Sequence, residues 1–150
     1  MRLVVQRVSH AKCEVDNKIT GQIEKGYMVL VGFTLDDNKQ IIEKMANKLA
    51  KLRVFDDPDG KMNLSIYDVN GKILSISQFT LYADASKGNR PSFTNAMPGN
   101  DSIKLYQYFN EYLRTLNLEV EEGIFGADMK IDLLNDGPVT IILDSKELLW

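Results

Sequence analysis

The chain is poor in the residues that usually carry catalysis. It has one cysteine and one histidine in 150 residues. A lone Cys13 cannot form an internal disulfide, which fits a reducing compartment. One Cys and one His argue against a zinc site built from those ligands. No apolar run reaches the roughly eighteen residues needed to span a membrane. The opening segment, Met1 to Val8, turns polar too soon for a signal peptide and reads as a strand. Together these features imply a cytoplasmic protein that touches no membrane. Net charge is −3, so tight non-specific binding to a nucleic-acid backbone is not expected. A local basic face remains compatible with weak contact to one polyanion.

What is present is ordinary in bulk, with 44% apolar and 26% charged residues. The length suits a single domain, residues 1–150, with a self-sufficient core. Arg2–Val8 reads as a strand. Ala11–Val15 and Ile19–Ile23 read as a hairpin around Asp16-Asn17. Tyr27 to Phe33 is continuously apolar, as in a strand covered on both faces. Asp36 or Asp37 should start a helix whose buried stripe is Ile41, Met45, Leu49 and Leu52. Arg53-Val54-Phe55 suggests a short strand, followed by a turn at Asp56 to Lys61. Met62–Val69 is ambiguous, Asn70-Gly71 is a turn, and Lys72–Gln78 is a strand. The polar stretch 83–100 is too long for a tight turn and reads as a functional loop. A second helix should begin near Asn100 or Asp101, burying Ile103, Tyr106, Phe109, Leu113 and Leu116. Strands at Leu118–Glu122, Met129–Leu134 and Val139–Leu143 complete the order. The expected fold is α/β: β-rich, mixed, barrel-like sheets with two main helices packed on them, in one domain.

Two polar segments stand at the ends of apolar strands. Ser77-Gln78-Phe79-Thr80-Leu81-Tyr82 follows Ile73 to Ile76. Asn135-Asp136-Gly137-Pro138-Val139-Thr140 follows Ile131 to Leu134. Strand ends can hold polar groups rigidly for binding or chemistry. The Gly137-Pro138 bond can be cis at modest cost, since glycine removes the conflict before proline. Each segment also has a plain reading, as an ordinary strand end and an ordinary turn. A Ser-His-Asp triad would have to use His10, and no G-x-S-x-G elbow exists. His10 is better read as a strand-end or surface residue, and Cys13 as a buried structural one. Ser77 and Thr80 are weak nucleophiles without a base. On a straight strand, Ser77 and Phe79 would face away from Gln78 and Thr80, so one pocket can use both hydroxyls only if the strand ends or bends there. Lys44, Lys48, Lys51 and Arg53 form a basic stripe, by default a solvated face. Lys87-Gly88-Asn89-Arg90 adds a second basic spot. Tyr106, Tyr108 and Tyr112 fit helix packing better than base stacking.

Three segments in order resemble the D-aminoacyl-tRNA deacylases: Ser77 to Asp84, Lys87 to Phe93, and Asn135 to Thr140. Val4 to Val8 and Gly123 to Met129 (apart from Asp128) are similar as well, so the resemblance covers nearly the whole chain. It implies hydrolysis of the ester of D-aminoacyl-tRNA, and of glycyl-tRNA, without metal or organic cofactor. It further implies a homodimer whose two active sites lie at the interface. In that arrangement a cis Gly137-Pro138 reaches the partner's Ser77, Gln78, Phe79 and Thr80, and Arg7 helps to hold the Gly-Pro segment. The resemblance leaves the nucleophile open between a covalent Thr80 and water activated by the substrate's 2′-hydroxyl. The lack of a base for Thr80 favours the second. Two other readings compete: a small-molecule esterase of the same fold, and a non-enzymatic dimeric RNA- or peptide-binding module.

Overall fold

One strand organises the molecule. The computed structural model describes residues 1–148, and in it β1 spans Arg2–Val15 without interruption. Sequence reading divides this strand at Ser9-His10. The break disappears because a second long strand, β8 (Lys130–Asp144), runs antiparallel along nearly its full length and supplies partners on both sides of the polar pair. The other edge of β1 is shared between β3 (Gly26–Gly32), which pairs with its first half, and β2 (Lys18–Ile23), which pairs with its second. The β1–β2 turn uses Asp16 and Asn17, both at positive φ. That conformation suits the twist of a two-residue hairpin, and Asn and Asp tolerate it.

From β3 the sheet continues in parallel to β6 (Lys72–Ser77) and β7 (Val120–Glu122). The sheet curls until β2 meets β7. A Cβ on Gly21 would lie 2.6 Å from the carbonyl oxygen of Glu122. Only a residue without a side chain permits that approach, and the result is a nearly closed, barrel-like sheet. A small hairpin, β4 (Phe55–Asp56) with β5 (Met62–Leu64), stands apart from it.

Two helices cover one face, α1 (Lys39–Lys51) and α2 (Gly99–Thr115). The strands alternate between two interiors. Tyr27, Val29, Val31 and Ile73 face the helices with Ile42, Met45, Leu49, Phe109 and Leu113. Met28, Leu74 and Ile76 face Val8, Cys13 and Ile23 inside the curled sheet. The continuous apolar run of β3 is thus explained by burial on both sides.

The helices differ from expectation at their starts and on one face. Asn38 caps α1, its side chain accepting the Ile41 N–H at 3.0 Å. Asp37 is unavailable as a cap, because its carboxylate takes the Thr34 N–H and the Met1 ammonium. The buried stripe is Ile42, Met45, Ala46, Leu49 and Ala50, with Ile41 and Leu52 at its margin. Helix α2 begins directly after Pro98, slightly earlier than the acidic residue suggested. It buries Ser102 and Asn110 beside Tyr106, Phe109 and Leu113, while Ile103 and Leu116 are only half-buried. No helix among the described residues is long and apolar enough to cross a membrane.

Candidate functional site

The parallel pair β3–β6 ends at one rim of the sheet, and there the chain changes direction. The Gln78 N–H donates to the Val31 carbonyl at 2.8 Å, completing the last rung. The next residues, Phe79–Tyr82, form a 3-10 turn. The strand therefore stops at Ser77, as a shared site would require. The turn is fastened from outside by Arg2. Its Nη1 donates to the Leu81 carbonyl, and its guanidinium sits 4.8 Å from the centre of the Tyr82 ring. The same guanidinium pairs with Asp144 at 2.8 Å, so the end of β8 braces the turn.

Within the turn, the Phe79 and Thr80 N–H groups are the first amides and have no acceptor in the turn itself. Gln78 donates its side-chain amide to Thr80 Oγ1. Beside them lies a cavity of about 270 Å³, lined by Ser77, Gln78 and Phe79 together with Phe33, Phe125 and Met129. Thr80 is adjacent through Gln78 but does not line the cavity. Phe79 is 55% exposed and packs edge-on against Phe93, with centroids 5.0 Å apart. Behind the wall, the Tyr106 hydroxyl donates to the Ser75 carbonyl at 2.7 Å. Burial pushes that hydroxyl above its ordinary value, so it remains a donor.

The second motif lies inside β8, where sequence reading places a turn between two strands. Thr140 faces Gln6 and Asn135 faces Val8. Five steps along β8 therefore oppose two along β1, and the surplus projects as a bulge carrying Asp136, Gly137 and Pro138. The Gly137-Pro138 bond is cis, and these three residues are exposed. Arg7 sits opposite the bulge and is 6% exposed. Its Nε donates to the Asp136 carbonyl at 3.1 Å, and its Nη1 donates to the Val54 carbonyl at 2.7 Å. Asp56 Oδ1 lies 3.3 Å from Nη1. Asn135 closes the base of the bulge, donating to the carbonyls of Arg7 and Val139, each at 3.0 Å.

The structure thus gathers Ser77, Gln78 and Phe79 at one cavity and Arg7, Gly137 and Pro138 at one bulge. It does not join the two groups within the chain, since neither Gly137 nor Pro138 lines the cavity. Sequence reasoning missed Arg2, Asp56 and Asn135. The last belongs to the motif quoted above, but its task of tying a bulge is visible only once β8 is known to be continuous. His10 is exposed on β1, and Cys13 is buried. Lys44, Lys48 and Lys51 lie on the exposed side of α1, and Lys87 and Arg90 on an exposed loop. Among the described residues, no three of His, Cys, Asp and Glu converge as metal ligands would.

Comparison with known proteins gives a consistent result. A family profile described as D-Tyr-tRNA(Tyr) deacylase matches residues 4–144. A protein of Thermosipho africanus named D-aminoacyl-tRNA deacylase is 52% identical, over 99% of each chain. One of the same name from Deinococcus radiodurans is 55% identical, over 96% of this chain and 99% of that one. A solved structure named c-Myc DNA Unwinding Element Binding Protein is 41% identical. It superposes with a TM-score of 0.90, over 96% of this chain and 98% of the other.

Proposed function

The chain belongs to the D-Tyr-tRNA(Tyr) deacylase family, and on that footing we propose that it hydrolyses the ester joining a D-amino acid to the 3′ end of tRNA. The catalytic residues are Ser77, Gln78, Phe79 and Thr80. Gly137 and Pro138 bind substrate, with Arg7 behind them. The carrying observation is the separation of these two groups in one chain. The Gly-Pro bulge is exposed on β8, and neither Gly137 nor Pro138 lines the cavity walled by Ser77 to Phe79. A homodimer resolves the separation, with each protomer lending its bulge to the other's cavity. The character of β8 supports this. Among the described strands it pairs only with β1, and it exposes Leu134 and Ile142. An uncovered strand edge with apolar side chains is suited to an isologous contact.

In this arrangement the cavity receives the terminal nucleoside and places its ester beside the turn. The free N–H groups of Phe79 and Thr80 stabilise the oxyanion as the carbonyl is attacked. Such donors are each worth about 10²–10³ in rate. The carbonyls of Gly137 and Pro138 accept hydrogen bonds from the substrate ammonium. With ammonium and ester both fixed, a D side chain points to open space and an L side chain meets protein. Glycine has nothing to clash, so glycyl-tRNA carried on alanine tRNA is also a substrate. The Thr80 hydroxyl has the Gln78 amide as its neighbour and no base within the turn. Attack by water assisted by the 2′-hydroxyl of the terminal ribose therefore fits better than a covalent Thr80. The site needs no metal or organic cofactor, and the protein works in the cytoplasm, where tRNA is charged.

The test compares D- and L-forms of one aminoacyl-tRNA, with and without chelator, alongside the sedimentation mass. Rapid D-specific hydrolysis, insensitive to chelator, by a dimer is expected. Equal turnover of free D-amino-acid esters would point to a small-molecule esterase. Nucleic-acid binding without turnover would point to a binding module.

A further inference from the structure

We propose that the β4–β5 hairpin sets the position of the Gly137-Pro138 projection, and that Asp56 is a positioning residue for chiral selection. The inference rests on the functional reading above and adds a residue and an element to it.

A buried guanidinium needs acceptors for its protons. Arg7 finds them on two opposed elements. One is the bulge, where Nε donates to the Asp136 carbonyl at 3.1 Å and the Asp136 carboxylate stands 3.6 Å away as an ion pair. The other is the hairpin and the residue that leads into it, through the Val54 carbonyl at 2.7 Å and Asp56 Oδ1 at 3.3 Å. The group is planar and rigid, so fixing one edge aims the other. Val54 and Asp56 therefore determine where Nε points, and with it where the residue before Gly137 is held. The same group limits what can stand at Gly137, since an added Cβ there would lie 3.0 Å from Arg7 Nη2.

The hairpin is fit to serve as a reference point. Phe55 is 1% exposed and stacks on Tyr27 with centroids 5.2 Å apart. Tyr27 is the partner of Arg7 in the β1–β3 register. The Asp57 turn is closed by its own bonds, with Asp57 N–H on the Lys61 carbonyl at 2.8 Å and the Asp57 carboxylate accepting from the Asp59 and Lys61 N–H groups. Asp56 itself is 54% exposed at its side chain. It adds nothing to the core, so its effect on the bulge is separable from folding.

Two variants decide the matter, Asp56→Asn and Asp56→Lys, with Asp56→Glu as the conservative control. Hydrogen exchange of the buried Arg7 Nε–H, which donates to the Asp136 carbonyl, is measured without RNA, so that an added cation cannot act through substrate affinity. Exchange there should accelerate in Asn and further in Lys, and stay near wild type in Glu. In the assay, KM for the D-substrate should rise about five-fold in Asn with kcat little changed, as expected for a half-exposed ion pair. The ratio of D- to L-turnover should fall in parallel. A folded Asp56→Lys with wild-type exchange and wild-type selectivity overturns the proposal. So does a change in KM with unchanged exchange, which would mean direct contact with substrate. If the wild type fails to hydrolyse D-aminoacyl-tRNA, the functional reading falls, while the exchange measurement still decides whether the hairpin holds the bulge.

Discussion

Asn135 and Arg7 are joined main chain to side chain: the Asn135 amide donates to the Arg7 carbonyl at 3.0 Å, and from the same nitrogen to Val139 across the neck of the bulge. One side chain thus replaces the ladder bonds that four residues of β8, 136–139, cannot make against Arg7 alone. Substituting Asn135→Ala leaves two carbonyls without that donor at a half-buried site. A loss of about 1–3 kcal/mol in unfolding free energy is expected. Denaturant titration measures it, and deacylation of D-substrate should fall as the neck loosens. An Asn135→Ala protein with wild-type stability and turnover would show that the neck closes without this bond.

Gly137 occupies φ +123°, and an added Cβ would lie 2.8 Å from Val139 Cγ2. L side chains rarely adopt that conformation. Because the position is exposed, Gly137→Ala should fold normally yet misplace the projection. D-substrate turnover should drop at least about ten-fold, on the scale by which misplaced reacting groups lose rate. Unchanged kinetics in a folded variant would remove the Gly-Pro segment from the site.

Thr80→Val tests the nucleophile. The substitution removes the hydroxyl that accepts from Gln78 but keeps the shape. Most activity should survive, whereas a tRNA ending in 2′-deoxyadenosine should be hydrolysed far more slowly. Loss of activity in the variant, with the deoxy substrate unaffected, would instead identify Thr80 as the covalent group.

Asp144 gives the fold an acid limit. Burial pushes its carboxyl up, but the Lys146 N–H and the Arg2 guanidinium outweigh this and hold it below the usual carboxylate range. A depressed folded-state pKa means the unfolded chain binds the proton more readily. The contribution is therefore complete above the unfolded value of about 3.9 and is lost as pH falls through the lower folded-state value. Acid unfolding followed by circular dichroism should lose this component in Asp144→Asn, and the variant should be less stable than wild type at neutral pH.

Much of the architecture could be read from local pattern. The unbroken apolar run of β3 announced burial on both faces, and Asp16-Asn17 announced the first hairpin. The errors share one cause, which is that distant partners decide local fate. Ser9-His10 look like a break until β8 pairs across them. Asp37 looks like a helix cap until the Met1 ammonium claims it. Met62–Val69 resolves into a three-residue strand only because Phe55 and Asp56 pair with Leu64 and Met62. The site divides in the same way. Ser77, Gln78, Phe79, Gly137 and Pro138 stand out as motifs because they are contiguous. Arg2, Asp56 and Asn135 act through contacts 49 or more residues distant in the chain, or through a bulge whose existence no single strand reveals.

The projection on β8 is an insertion in a ladder that resumes on either side of it. Its height could be altered a residue at a time without re-cutting the interior, as a key's tooth is filed without reshaping the shank. Variation in what such proteins admit or refuse can thus accumulate at this step while the barrel beneath stays the same.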